Sequence, residues 1–598
     1  MNKTRIIILL FLLSLSLLSG YSQQNNTVIT NNVAGSNIFH HTIERGQTVY
    51  SIATMYGVSE KDIYRLNPGS EESIKAGAIL IIPQKGTSSD TGEASDAYTY
   101  HTIQPKETLY SLTLKYNIPA TRIVDANPGL SVETFTIGKT IRIPATNIDD
   151  LPTTEIKTVT KEIEYRVKRR ETMYSICRRF NVSSSELIKR NPELKNGMKT
   201  GMTIKIPIQA EETVTTTVEQ LQERDVNALL STPKEIDKVN VLKVAVLLPF
   251  MADGNAGSDA ALRTLEYYEG FLLAIDSLKN QGISVSLSVY DIGEGTKKTK
   301  DVLKNKELKE ANLILGGVQN DQIKLIADFA KKQEIKYVIP FTSRNDDVLS
   351  NNYVFQVNTP HSYLYAKAAQ AGCRLFGEYN IILINTNDSK NKTDYIKALK
   401  TEMELRNLTY TDYNLKSETF SDDLLTLLDS TKRNVVIPYS GTLEALNKIR
   451  IPLKSISESN PEYGLTLYGY PEWQTYMREC LDDFFALNTY IYSNFYVDNI
   501  SKEARDFHLK YRTWFSKSLF NSYPKYGILG FDTAMYFLTS LYKNGTNFED
   551  NPSKINYNGI QTSFDLHRVN NWGGFVNTHL FLVHYRSDFT ITREDVNL

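Results

Sequence analysis

The sequence predicts a multidomain chain: three small βααβ modules of the α+β type, then a two-lobed α/β domain. Three observations predict it. The text Thr48-Val49-Tyr50-Ser51-Ile52 returns as Thr108-Leu109-Tyr110-Ser111-Leu112 and as Thr172-Met173-Tyr174-Ser175-Ile176, and self-similarity of this kind marks a structural array. Each copy then repeats the same landmarks at matching offsets: Asn67-Pro68, Asn127-Pro128 and Asn191-Pro192; Gly77, Gly138 and Gly201; Ile82-Pro83, Ile143-Pro144 and Ile206-Pro207. From Val241 onward, strand and helix signals alternate. A chain of 598 residues is too long for one core and suggests three to five domains.

Within a module, a strand comes first: Phe39 to Ile43, Tyr100 to Ile103, or Tyr165 to Val167. Apolar residues then fall at helical spacing (Val49, Ile52, Ala53, Tyr56 in copy one), which places one buried stripe on a short helix. A second helix starts at Ser59 or Ser183 with an acid three residues on, a capping-box pattern. It stops before the Asn-Pro, because proline disfavours helical geometry in the residue preceding it. A closing strand (Ile79 to Ile82) ends at proline. The predicted modules are residues 39–83, 98–144 and 163–207.

This pattern resembles the LysM domain, whose signature runs roughly Y-x-V-x-x-G-D-T-L-x-x-I-A, a helix, N-P, G and I-P. The resemblance implies binding of N-acetylglucosamine-containing glycan, in bacteria chiefly peptidoglycan, in a groove between the loop before helix one and the loop after helix two. It assigns that groove to Gly46, Gln47, Thr48, Val49, Asn67, Pro68 and Ile74 in copy one. In copy two it assigns Glu107, Thr108, Leu109, Asn127 and Pro128, and in copy three Glu171, Thr172, Met173, Asn191 and Pro192. The family's Gly-Asp before the Thr is here Gly46-Gln47, Lys106-Glu107 and Arg170-Glu171. Copies two and three lose the glycine, so a different loop backbone is expected in them. Thr and Asn-Pro are also expected to cap helices.

Net charge of −1 gives no global pull toward nucleic acid or anionic membrane. Residues 1–22 read as a secretory signal: Lys3 and Arg5, an apolar run from Ile6 to Leu18, then Gly20-Tyr21-Ser22 as a cleavage site. Tyr21 stands where a lipoprotein would carry its acylated Cys. A soluble exported protein, periplasmic and wall-associated, is therefore expected, with no membrane span after signal cleavage. Three cysteines (Cys177, Cys373, Cys480) are too few for a disulfide framework; Cys177 reads as a small core residue, and pairing of the other two stays open. Polar stretches Gln84 to Ala97 and Ala145 to Lys161 read as flexible tethers, and 208–240 as a linker. Tethered modules on one polymer would gain roughly 10²–10⁴ in avidity. Basic residues crowd copy three (Arg166, Lys168, Arg169, Arg170, Arg178, Arg179), leaving open a solvated face or attraction to anionic wall components.

In residues 241–598, strands are expected at Leu242–Leu248, Ile283–Tyr290, Asn312–Leu315 and Tyr337–Pro340, with helices between, among them Asp301–Glu310. The series restarts after Pro360, which implies two parallel sheets and two lobes. This half resembles the type I periplasmic binding proteins, the amino-acid receptors of ABC transporters. The resemblance is carried by Lys243-Val-Ala-Val-Leu-Leu-Pro249, Glu269-Gly270-Phe271, Ile314-Leu-Gly316-Gly317, Val338-Ile-Pro-Phe-Thr-Ser343 and Gly530-Phe531-Asp532, the last opening a late helix. Such folds bind ligand in the crevice beyond the carboxyl ends of the strands. The candidates there are Gln319, Asn320, Thr342 and Ser343 from lobe one, and Tyr439, Ser440, Tyr470 and Glu472 from lobe two. A small-molecule ligand (amino acid or muropeptide) and a protein partner such as a wall-synthesis enzyme both stay open.

Catalytic signatures are not legible. The eight histidines form no H-x-H or H-E-x-x-H, and there is no G-x-S-x-G. Ser522-Tyr-Pro-Lys525 lacks the companion S-D-N motif, and Gly293-Glu-Gly295-Thr-Lys-Lys298 lacks the third glycine of a dinucleotide loop. The reading is a non-enzymatic protein without cofactor or metal: a LysM array anchoring a two-lobed ligand- or partner-binding domain at the wall. Its alternatives are an amino-acid or peptide receptor of an ABC transporter or sensor, and a scaffold activating peptidoglycan synthesis.

Overall fold

The structure, a computed structural model, describes residues 38–83, 98–144, 154–215, 223–231 and 238–596, apart from 253, 255, 417–418, 551–554 and 556. The expected signal segment 1–22 and the tether Gln84–Ala97 lie outside the described residues.

Each module is a strand, two helices and a strand. In copy one, β1 (Ile38–Thr42) pairs antiparallel with β2 (Ile79–Pro83) around helices Val49–Tyr56 and Glu60–Leu66. Copy two pairs β3 (Tyr98–Thr102) with β4 (Thr140–Pro144) around Leu109–Tyr116 and Ala120–Ala126. Copy three pairs β5 (Thr154–Arg166) with β6 (Thr203–Thr215) around Met173–Phe180 and Ser184–Arg190. The buried stripe of copy one is the expected one: Val49, Ile52, Ala53 and Tyr56 all lie in its core.

The third hairpin corrects the tether reading of Ala145–Lys161. Residues 154–161 belong to β5 and pair with 208–215 of β6. The stretch Thr-Glu-Ile-Lys-Thr-Val-Thr is rich in β-branched residues and alternates like a strand, so the module's own ladder runs on into it. The linker 208–240 is corrected likewise. Beyond β6 it contains the helix Glu223–Ala228, whose Val226 is buried in the core of copy two beside Leu229 and Leu230.

Two seven-stranded sheets make up the two lobes. Lobe one has the order β17-β18-β11-β10-β9-β7-β8, with β7 (Val241–Leu248), β8 (Ser284–Asp291), β9 (Leu313–Gly316), β10 (Lys336–Ile339) and β11 (Val354–Gln356) all parallel to their neighbours. Lobe two has the order β13-β12-β14-β15-β16-β19-β20, with β12 (Asn380–Asn385), β13 (Tyr410–Asn414), β14 (Asn434–Pro438), β15 (Leu465–Gly469) and β16 (Tyr490–Ser493) parallel. The chain then returns. Hairpin β17 (Leu566–Arg568) and β18 (Phe575–Asn577) joins lobe one, and β19 (Phe581–Tyr585) with β20 (Ile591–Asp595) joins lobe two as antiparallel edge strands. At the crossings, Asn494 Nδ2 donates to Asn358 Oδ1 at 3.1 Å and Thr562 Oγ1 to the Asn494 carbonyl at 3.0 Å.

Two expected helices are redrawn. Asp301–Glu310 is a helix only over Lys297–Val302, then a separate turn at Glu307–Glu310. The late helix opens at Tyr526 rather than Gly530. There Gly527 and Gly530 lie against helix Asp259–Lys279 at Gly270 and Tyr267, so close that a Cβ at Gly270 would collide with the Gly527 carbonyl. The glycines of both family-like motifs therefore serve one helix–helix contact.

Modules one and two are docked on the lobes. At the tip between β17 and β18, Trp572 enters the core of copy one, with ring centroids 5.9 Å from Tyr56 and 5.5 Å from Tyr100. The Arg142 guanidinium lies 4.7 Å above its indole. Asn571 brackets copy two, accepting from Gly129 N at 2.8 Å and donating to the Thr140 carbonyl at 3.1 Å. Trp572→Ala removes a buried indole, a change that costs about 3–5 kcal/mol. Calorimetry should then show modules one and two melting below the lobes; an unchanged thermogram would contradict this docking.

Candidate functional site

The loop before each first helix is built the same way three times. Thr48 caps its helix, Oγ1 accepting from Ser51 N at 3.0 Å while Ser51 Oγ accepts from Thr48 N at 2.9 Å. Thr108 with Ser111 and Thr172 with Ser175 repeat the reciprocal box. The residue before the Thr locks the turn. Gln47 Oε1 accepts from Glu44 N at 2.9 Å, Glu107 Oε2 from Gln104 N at 2.8 Å, and Glu171 Oε2 from Lys168 N at 2.8 Å. Each also bonds a side chain six residues upstream: His41 at 2.7 Å, His101 at 2.6 Å and Tyr165 at 2.8 Å. The sequence reading missed these partners, although the recurring i, i+6 spacing was there to be seen.

Burial lowers the pKa of His41 and of His101, the latter despite the Glu107 carboxylate beside it. Burial works to raise the Glu107 carboxyl. The Gln104 N–H, His101 and Lys115 outweigh it and hold the group below the usual carboxylate range.

The expected change of loop backbone in copies two and three does not occur. Gly46 has φ 85°, Lys106 φ 70° and Arg170 φ 71°, so all three loops take the left-handed form at this position. Lys and Arg bear the penalty of roughly 1–2 kcal/mol that a Cβ incurs there, held by the turn-locking Glu that follows. What glycine permits in copy one is contact: a Cβ on Gly46 would lie 2.9 Å from the Tyr363 ring.

The Asn-Pro units are built into the fold. Asn67 donates to the Ile63 and Ile81 carbonyls at 2.8 and 2.7 Å and accepts from Ile81 N at 2.8 Å. Asn127 makes the same set to Ile123 and Arg142, and Asn191 to Leu187 and Lys205. The amide thus fastens the second helix to the closing strand and faces inward, while Pro68 and Pro192 are exposed and Pro128 half-buried. Val49 and Leu109 are core residues; Met173 is half-buried.

In the crevice the eight candidates divide. Gln319 precedes helix Asn320–Gln333, whose exposed first residue is Asn320, and its Oε1 accepts from Gly295 N at 3.0 Å. Thr342 Oγ1 closes a turn with Arg344, beside half-buried Ser343. Three of the lobe-two candidates are tied down within their lobe. Tyr439 donates to Asp412 at 2.6 Å, Ser440 to Asp388 at 3.0 Å, and Tyr470 to the Pro438 carbonyl at 2.5 Å. Glu472 pairs with Lys392 at 2.7 Å, both partly exposed. All three cysteines are free thiols; Cys373 is buried, which pushes its pKa up to about 12. Among the described residues no cluster of His, Cys, Asp and Glu could hold a metal ion, and no helix is long and apolar enough to cross a membrane.

Segments 41–83, 101–144 and 165–207 match the LysM domain model. The chain contains three LysM domains, a module type that binds peptidoglycan. Among curated proteins it is 32% identical over 108 residues to YdhD of Bacillus subtilis (strain 168), named as a candidate sporulation-specific glycosylase, across 18% of this chain and 22% of that protein. It is 30% identical over 126 residues to the autolysin of Enterococcus faecalis (strain ATCC 700802 / V583), across 20% of this chain and 17% of that one. The chain therefore spans about a fifth of these relatives. Among solved structures it aligns with LivJ of Streptococcus pneumoniae, a branched-chain amino acid transporter substrate-binding protein in complex with isoleucine. That alignment has 14% identity and TM-score 0.34, covering 60% of this chain and 99% of LivJ.

Asn191→Ala strips three backbone bonds from copy three and leaves buried groups unpaired, at about 1–3 kcal/mol for each such group. Amide exchange across 165–207 should accelerate at least roughly tenfold while the lobes are unaffected; unchanged exchange would contradict the pinning role.

Proposed function

We propose that this is an exported, non-enzymatic wall-binding protein, whose LysM array attaches to N-acetylglucosamine-containing glycan and holds a two-lobed binding domain beside it. The observation that carries the reading is the threefold repetition of one loop, Thr-capped and turn-locked in the same left-handed geometry, in modules that each also carry an exposed or half-buried proline after the second helix. Copy three offers the open version. Every hydrogen bond and ion pair it makes among the described residues stays within the copy, and Tyr174 beside its groove is 75% exposed.

The two-lobed domain is the recognition unit. An amino-acid or peptide ligand would meet the Lys392–Glu472 pair, whose opposite charges suit the two ends of a zwitterion. A wall-synthesis partner would instead meet the outer surface, making the protein a scaffold. The proposed location is periplasmic and wall-associated.

The full chain should sediment with purified peptidoglycan sacculi and be released by soluble N-acetylglucosamine oligomers. Failure to sediment would overturn the wall-binding reading, and a cleared band in a peptidoglycan zymogram would overturn the non-enzymatic one. A thermal shift with an amino acid or muropeptide selects the receptor; its absence, with capture of a wall synthase, selects the scaffold.

A further inference from the structure

We propose that the groove of the first LysM module is one half of a two-walled glycan slot, and that lobe two supplies the other half. This rests on the glycan-binding reading of the modules. A cavity of about 540 Å³ lies between copy one and lobe two, within the roughly 300–1,000 Å³ of small-ligand sites. One wall is the loop Gly46–Val49 together with Ile74, which the LysM resemblance assigns to the groove; Asn67 and Pro68, assigned with them, do not line the space. The other wall comes from helices His361–Leu375 and Thr393–Leu405, with Tyr365, Gln370, Asp394 and Thr401 facing the space.

The walls are braced against each other. Arg45 pairs with Glu402 at 3.4 Å and Lys75 with Glu404 at 3.0 Å. Lys397 Nζ donates to the Glu72 carbonyl at 3.3 Å, and Tyr363 packs against Gly46. On the far side, Tyr50 reaches lobe one, donating to Asp346 Oδ2 at 2.7 Å. These contacts fix the separation of the walls without filling the space between them.

The lobe-two wall suits an N-acetylated sugar. Half-buried Tyr365 offers a ring to a pyranose face, and half-buried Gln370 and Thr401 offer an amide and a hydroxyl to the acetamido group. Carboxylates outnumber cations in the lining, so an uncharged sugar strand is favoured over one bearing acidic substituents. Copy two is arranged otherwise: its loop beyond Pro128 is packed on Asn571 and Arg568 of lobe one.

Hydrogen exchange of the full chain, titrated with tetra-N-acetylchitotetraose, tests the slot. Residues 46–50, 361–370 and 394–402 should gain protection together and saturate at one probe concentration. Ala366→Trp, placed on the lobe-two wall, should raise that concentration roughly tenfold or more while leaving protection at 170–174 unchanged; Gln370→Ala should act the same way, more mildly, without added bulk. Protection of 46–50 with lobe two indifferent to probe and variants overturns the slot, as does protection confined to copy three. Both results leave the array a glycan binder. Protection nowhere overturns the slot and that reading together.

Discussion

The arrangement depends on one side chain of lobe one placed inside another domain. Trp572 is 3% exposed, and the residues that bury it come from the first two modules: Tyr56 of copy one, Tyr100 and Arg142 of copy two. Its hairpin is stiff, since Asn570 Oδ1 accepts from Trp572 N at 2.9 Å and Gly573 N at 2.6 Å, and Asn570 Nδ2 donates to the Leu349 carbonyl at 2.9 Å. A large indole on a rigid tip, enclosed by aromatic rings and a guanidinium, gives an interface with an interior's burial rather than a surface's. Two of the three repeats are thereby part of the body of the C-terminal domain.

That docking makes three near-identical modules unequal. Copies one to three share caps, turn locks and Asn pins, so their loops have the same form. Their surroundings differ. Copy one faces lobe two across a braced cavity, copy two presses its second loop onto lobe one, and copy three is built on an extended hairpin, its hydrogen bonds among the described residues made within itself. Free tethering of all three units is then a poorer description than two modules docked on the lobes and a third bonded, among the described residues, only within itself. The contacts of copy one with both lobes, through Asp346 on one and Glu402 and Glu404 on the other, also tie the lobes' separation to that module.

The fold was largely legible, and the reasons are local. Repeated Thr, Asn-Pro and Ile-Pro landmarks are short-range signals, and each is explained by a bond within its own module. The central strands β7, β9, β10, β12, β14 and β15 could be read because parallel strands buried on both faces are continuous apolar runs, whereas the three-residue β11 is too short to stand out as a strand. Beyond Gly469 the reading thinned. β17, β18 and β20 are short or at edges: β17 and β20 pair only within their own hairpins, and β18 enters the sheet through β11, where Phe575 meets Phe355 from far earlier in the chain. The left-handed Lys106 and Arg170 could not be foreseen from residue type, since glycine is the ordinary occupant of that conformation. The loops that carry the candidate residues were legible, and the bonds their side chains make were not. Gln47, Glu107 and Glu171 lock their loops and the three Asn side chains pin the second helix to the closing strand, while the lobe-two wall opposite copy one leaves no mark in a module's own text.

The central claim, that the first module is seated on lobe two, is tested most directly by zero-length carbodiimide crosslinking of the full chain, read by mass spectrometry. Lys75 and Glu404, 3.0 Å apart, should form an isopeptide bond in a yield similar to Lys115 and Glu107, 3.1 Å apart within copy two. If the bond within copy two forms and the one between Lys75 and Glu404 does not, the module is not seated there.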